Sequence, residues 1–175
     1  PLDQPSNSAL YVQGPVKASE TGDTIPTGYQ NEWSTRSISD TSLRSQSSPT
    51  LGTTYYPWTS TLTLPAGNWM LCFKALYQYN TTVSTNNIAN GGVVVNNQTD
   101  SSEVFRSFGL PQFKTGESVA DFWYPSAQCK PISITSSKIF RLGLFAGTLT
   151  GSPTVNTIYF RGDLSPTELY AIRLN

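Results

Sequence analysis

Residues 68–79 read Asn68-Trp69-Met70-Leu71-Cys72-Phe73-Lys74-Ala75-Leu76-Tyr77-Gln78-Tyr79, with Trp69, Leu71, Phe73, Ala75, Tyr77 and Tyr79 at every second position. Successive side chains of an extended chain point to opposite faces, so this spacing gathers all six on one side of a β-strand. A helix would need its apolar residues three to four apart. The other face carries Met70, Cys72, Lys74, Leu76 and Gln78, half apolar and half polar. That pattern predicts a central strand with one face on the core and the other partly covered. A single strand cannot bury such a face alone, so the rest of the chain must supply partners.

It does so in short runs. Leu62 and Leu64 alternate before the turn Pro65-Ala66-Gly67, Val93-Val94-Val95 is β-branched, and Val104-Phe105-Arg106 reads as a further strand. Residues 119–123 form another, which Pro125 is expected to end. Ile132 and Ile134 alternate, and residues 138–145 give a second strong strand with Phe140, Leu142 and Leu144 inward. Residues 157–160 and 169–174 complete the set, the last with Tyr170, Ile172 and Leu174 as its apolar face. Residues 86–92 read as a turn-rich bridge, and Gly143, inside a strand pattern, marks a bulge or a close backbone approach. Roughly seven to nine strands divided by turn-rich loops predict an all-β antiparallel sandwich of jelly-roll type. No long amphipathic helix, heptad tract or fixed-period repeat interrupts this reading.

A chain of 175 residues is long enough for one substantial core, and nine tyrosines, eight phenylalanines and four tryptophans enlarge the area it can bury. Two segments differ in texture. Residues 1–54 are a polar arm with long loops and one or two short strands, anchored by Leu10, Tyr11, Val12, Tyr29, Trp33 and Ile38, packed on or leading into the same domain. Residues 55–175 carry the sandwich head. Starting at Pro1 without methionine, the chain reads as trimmed from a longer precursor.

Composition narrows the chemistry. Eleven basic and eleven acidic residues cancel, without the basic surplus that a nucleic-acid groove needs to exchange phosphate counterions. No apolar stretch is long enough for membrane insertion. With no histidine, the chain builds neither a Ser-His-Asp nor a Cys-His centre, nor a histidine-ligated metal site. Cys72 lies in an apolar run and Cys129 in a polar, proline-bearing stretch. Two free thiols fit those different settings somewhat better than one intrachain disulfide. The acidic pairs Glu117 with Asp121 and Asp163 with Glu168 read as solvated loop carboxylates, and Gly91-Gly92 lacks the lysine and hydroxyl of a phosphate loop. The expectation is a non-enzymatic domain with no cofactor and no metal.

Three groups are candidates for recognition. Arg161-Gly162-Asp163 falls in the loop before the last strand, where a glycine hinge either holds a cation and an anion apart for a receptor or makes a tight turn with a local ion pair. Tyr56, Trp58, Trp123 and Tyr124 are rings suited to stacking on sugars, to anchoring an interface or to sealing the sandwich ends. Asn80-Thr81-Thr82 and Asn97-Gln98-Thr99 match the glycosylation pattern.

Two phrases carry a family likeness. Thr61-Leu62-Thr63-Leu64-Pro65-Ala66-Gly67-Asn68-Trp69 and Glu168-Leu169-Tyr170-Ala171-Ile172-Arg173-Leu174 resemble the strand-turn-strand and closing-strand phrasing of viral and phage receptor-binding heads, including fibre heads and protruding capsid domains. They are also similar to the jelly rolls of the C1q and tumour-necrosis-factor families, which commonly trimerise. The likeness covers mainly residues 61–79 and the last seven. It implies a virion-surface head, a homotrimer, that binds a host-cell protein or glycan. An extracellular lectin or carbohydrate-binding module, and a purely structural capsid domain, are the alternatives.

Overall fold

The computed structural model describes residues 35–82, 88–109, 119–150 and 154–174, with backbone alone at 81–82, 88–89, 109, 119–123 and 148–150. The expected anchors Leu10, Tyr11, Val12, Tyr29 and Trp33 lie outside the described residues. Among the described residues strands account for every regular element: β1 (Thr35–Asp40), β2 (Leu43–Ser47), β3 (Thr53–Tyr55), β4 (Leu62–Leu64), β5 (Gly67–Thr82), β6 (Ile88–Asn97), β7 (Ser102–Gly109), β8 (Val119–Ile134), β9 (Lys138–Thr150), β10 (Thr154–Arg161) and β11 (Thr167–Leu174).

All pairings are antiparallel and form two sheets, the sandwich that the alternation predicts. The organising element of the first is β5, the strand that residues 68–79 announced. Along one edge it pairs with β8 over its full length. Its other edge is divided, with β11 against residues 68–74 and β10 against residues 77–82. β1 extends β11 and β2 extends β10. The second sheet runs β3-β9-β6-β7, with β4 also on β9.

The core lies between their inner faces. Trp69, Leu71, Phe73, Ala75, Tyr77 and Tyr79 of β5 are all buried, as the period-two reading requires, and they meet Val93, Val95, Phe140, Leu142 and Leu144 of the second sheet. Phe73 stacks on Phe105 with ring centroids 5.9 Å apart, which ties β5 to β7 across the sandwich. Gly91 stands where a Cβ would come within 2.8 Å of the Tyr79 ring, and its carbonyl accepts a 3.3 Å hydrogen bond from the Tyr77 hydroxyl.

Four sequence expectations are corrected. Residues 88–92 belong to β6 rather than to a turn, because Gly91 is needed for the Tyr79 ring and not for chain reversal. On β11 the buried residues are Leu169 and Ala171, while Tyr170, Ile172 and Leu174 lie on the half-exposed outer face. Pairing with β5 sets this register, placing Leu169 opposite Phe73 and Ala171 opposite Leu71.

Pro125 does not end its strand, since β8 continues through both Pro125 and Pro131. Cys72 and Cys129 face each other across β5 and β8 and form a disulfide, not two free thiols. Their Cα atoms are 4.0 Å apart, the close spacing of a non-hydrogen-bonded pair. Residues 125 and 131 share the parity of 129, so their backbone nitrogens point away from β5, where a proline removes no bond of the ladder. Alternation in the sequence could not show that two cysteines of such different settings are register partners.

Candidate recognition site

The β10–β11 turn contains Arg161-Gly162-Asp163. Arg161 lies on the outer face of β10, and its Nη1 donates a 2.7 Å hydrogen bond to Oε1 of the buried Gln78 on β5. Its Nε and Nη2 donate to the two carboxylate oxygens of Asp163 at 2.9 and 2.8 Å, a bidentate pair. That hydrogen bonding, more than the charge itself, holds the Asp163 carboxyl below the usual carboxylate range. Gly162 is buried against the β1–β2 turn, where a Cβ would fall 2.5 Å from the Ser42 carbonyl oxygen and 2.8 Å from that of Asp40. The amides of Leu164 and Ser165 close the loop on the Arg161 carbonyl. In this geometry the cation and the anion face each other, and a receptor would have to open the pair to use both. Leu164 and Leu43 are exposed beside it.

The described aromatic candidates, Tyr56, Trp58 and Tyr124, take different settings. Trp58 is buried in the core, and Tyr124, half-buried, stacks on Tyr77 and Tyr79 at 5.4 and 5.8 Å. The Trp123 side chain lies outside the described ones. Tyr56 reaches a half-exposed face, where the Arg141 guanidinium lies 3.5 Å from its ring centroid.

That face, the outer side of the second sheet, holds the residues that sequence reasoning missed. Register lines up Glu103, Asn96 and Arg141 in one row, Arg106, Val94 and Gly143 in the next, then Phe108, Gly92 and Phe145, and finally Asn90 with Gly147. Arg106 lies 4.4 Å from the Phe145 ring centroid and 5.5 Å from that of Phe108. Its Nε and Nη2 donate to the two oxygens of the Glu103 carboxylate, which raises the Arg106 pKa. Phe108 meets Phe145 edge-on at 6.0 Å and is still 54% exposed. Beside the two rings opens a cavity of about 450 Å³ lined by Leu51, Gly52, Asn90, Phe108, Phe145 and Gly147. A signal existed in the sequence: once Phe140, Leu142 and Leu144 point inward, parity sends Arg141, Gly143 and Phe145 outward.

The two glycosylation patterns occupy different settings. Asn97 is buried, its amide donates to Asp100 at 2.8 Å and its carbonyl oxygen accepts from the Asp100 amide, an arrangement that builds the β6–β7 turn. Asn80 is half-buried and accepts from Asn156 at 2.8 Å. The Asp163 carboxylate is paired with Arg161, while Glu117 and the Asp121 side chain lie outside the described residues. Among the described residues no group of three or more Cys, Asp or Glu side chains is placed to hold a metal ion. The most strongly shifted group, Tyr79, is pushed up by burial, with Tyr124 and Tyr77 adding to it, and it belongs to the core.

No protein-family model matches this chain, and no curated protein does. Solved structures with a similar course include the Gx strain of infectious bursal disease virus, with a TM-score of 0.37 and 11% identity over 88% of this chain and 42% of that one. The VP2 subviral particle of the same virus gives 0.35 and 14% over 87% and 42%, and its derived T=1 particles give 0.38 and 13% over 91% and 40%. This chain thus spans less than half the length of each. The fold described above rests on the strand register of this chain itself.

Proposed function

We propose that this chain is a non-enzymatic virion-surface domain that binds a host-cell receptor through the outer face of the second sheet. The observation that carries the reading is the exposed Phe108 beside Phe145 and Tyr56, with Arg106 and Arg141 stacked among them. Aromatic and arginine side chains held rigidly on a sheet present large contact area at little entropic cost, the make-up of interface anchors. The likeness of residues 61–69 and 168–174 to viral and phage heads supports the virion setting. Arg161, Gly162 and Asp163 are a second contact, reached only by a receptor that opens their ion pair.

Self-association into a trimer belongs to the same reading. Met70 and Leu76 of β5 and Tyr170 and Ile172 of β11 share the outer face of the first sheet, half-exposed and largely apolar.

The test is binding of the chain to a panel of cell surfaces, with Phe108→Ala and Asp163→Ala compared with the unaltered protein. Loss with Phe108→Ala alone is expected. Loss with Asp163→Ala alone would move the contact to the β10–β11 turn, and no specific binding by any form would favour a structural capsid role.

A further inference from the structure

We infer that the groove beside Phe108 and Phe145 is a subsite for an uncharged pyranose ring, an inference that rests on the receptor reading and names the ligand class for the same face. None of its six lining residues carries a charge. The nearest cation, Arg106, has its Nε and Nη2 on the Glu103 carboxylate, which offsets its charge, and its guanidinium lies against the two rings, so a carboxylate or sulfate would meet a cation already paired. An acidic sugar would therefore be desolvated there without a counter-charge, whereas a neutral one would not.

What the groove offers instead is the surface of Phe108, more than half exposed, the Phe145 ring, the aliphatic side chain of Leu51 and the side-chain-free positions Gly52 and Gly147. An aromatic plate takes the C–H face of a pyranose, and at Gly52, whose amide is already bonded to the Ala146 carbonyl at 2.7 Å, no side chain bars its approach. Asn90 adds a polar handle. Its Oδ1 is sealed from water and has no hydrogen-bond donor among the described residues, lying where a Cβ on Gly147 would be 2.4 Å away. A buried acceptor in that state costs free energy. Turning the Asn90 amide toward the groove exchanges it for a bond to a sugar hydroxyl. The cavity, at about 450 Å³, is within the range of small-molecule sites.

The experiment titrates the isotope-labelled chain with the methyl glycosides of galactose, N-acetylglucosamine and sialic acid, following backbone amides by NMR. A neutral glycoside is expected to shift the amides of Gly52, Asn90 and Gly147 with affinity of about 1 mM, and Phe108→Ala to weaken it about tenfold. Phe108 is exposed enough to be replaced without a core cavity, and Asn90→Ala gives a second variant expected to weaken the same shifts. No shift from either neutral glycoside up to about 50 mM, or tighter binding of the sialoside, overturns the inference. If neutral glycosides fail while Phe108→Ala still abolishes cell binding, the face binds a protein and the receptor reading survives alone. If cell binding survives Phe108→Ala, the outer face of the second sheet is not the receptor contact, and both the sugar subsite and the placement of the receptor on this face fall.

Discussion

Replacing both Cys72 and Cys129 with alanine tests the first sheet most directly. The bond closes a loop with a sequence separation of 57 residues. Releasing a cross-link over such a loop returns about 14 cal/mol/K of chain entropy to the unfolded state, or about 4 kcal/mol at 25 °C. The folded state should change little, because all 16 residues of β8 pair with β5 without a break in register. Urea denaturation followed by tryptophan fluorescence reads the difference: with a slope of about 2 kcal/mol/M, the midpoint should fall by about 2 M. Reductant supplies the control. Cys129 is exposed, so thiol reagents can reach the bond, and the reduced unaltered protein should unfold close to the double variant. A midpoint shift below about 0.5 M, or a variant far weaker than the reduced protein, would refute the reasoning by showing that the bond does not restrain the unfolded chain or that sulfur packing dominates.

Phe73 is fully buried and stacked on Phe105, so Phe73→Ala should cost about 3–5 kcal/mol by the same denaturation assay. Gly162→Ala should cost about 1–3 kcal/mol, because the added methyl meets backbone oxygens of Asp40 and Ser42 that cannot swing aside; an unchanged midpoint would contradict the packing of that turn. The Arg161 pair depresses the Asp163 pKa in the folded state, so its stabilisation is present above the unfolded carboxylate range of about 3.9 and is lost as the pH falls through the folded value. Asp163→Asn should remove that part of the acid-side stability loss, read as denaturation midpoints between about pH 2 and pH 6. Sedimentation equilibrium should show a trimer at tens of micromolar that Ile172→Lys converts to monomer; a monomeric unaltered chain would defeat the assembly proposal.

Legibility in the sequence followed from whether one strand's own pattern decided the outcome. On β5 and β9 the two faces differ enough in polarity that alternation alone assigned them, and every predicted core residue there is buried. β11 failed because Tyr170, Ile172 and Leu174 are as apolar as Leu169 and Ala171, so only the pairing with β5 could choose between its faces. The disulfide and the passage of β8 through two prolines are also properties of a pair of strands. At the candidate site, the hydrogen bonds of Arg161 to Gln78 and Asp163 join residues far apart and near in the chain alike, and no spacing rule foretells both. The groove was missed because its walls come from β6, β7, β9 and the turn before β3, each contributing one or two residues that are unremarkable alone.

The prolines also bear on how copies of this chain can meet. An open sheet edge is a template for strand addition, and β8 pairs with β5 alone among the described residues. Pro125 and Pro131 remove two of the donors that face outward along its free side. The same side is held beside β7, where Ser107 and Ser126 share a 2.6 Å hydrogen bond and Lys130 donates to the Val104 carbonyl at 2.8 Å. At the opposite margins β1 and β2 are short, of six and five residues, and carry mainly exposed polar side chains, including Arg36 and Arg44. Strand addition is therefore discouraged at both margins of the first sheet, whereas its outer face is not defended in this way. There Lys74 and Glu168 are register partners whose charges offset each other, next to Met70, Tyr170 and Ile172. Association through this face, rather than by extending the sheet, is the geometry in which Ile172→Lys separates the copies while a proline added to β2 leaves them joined.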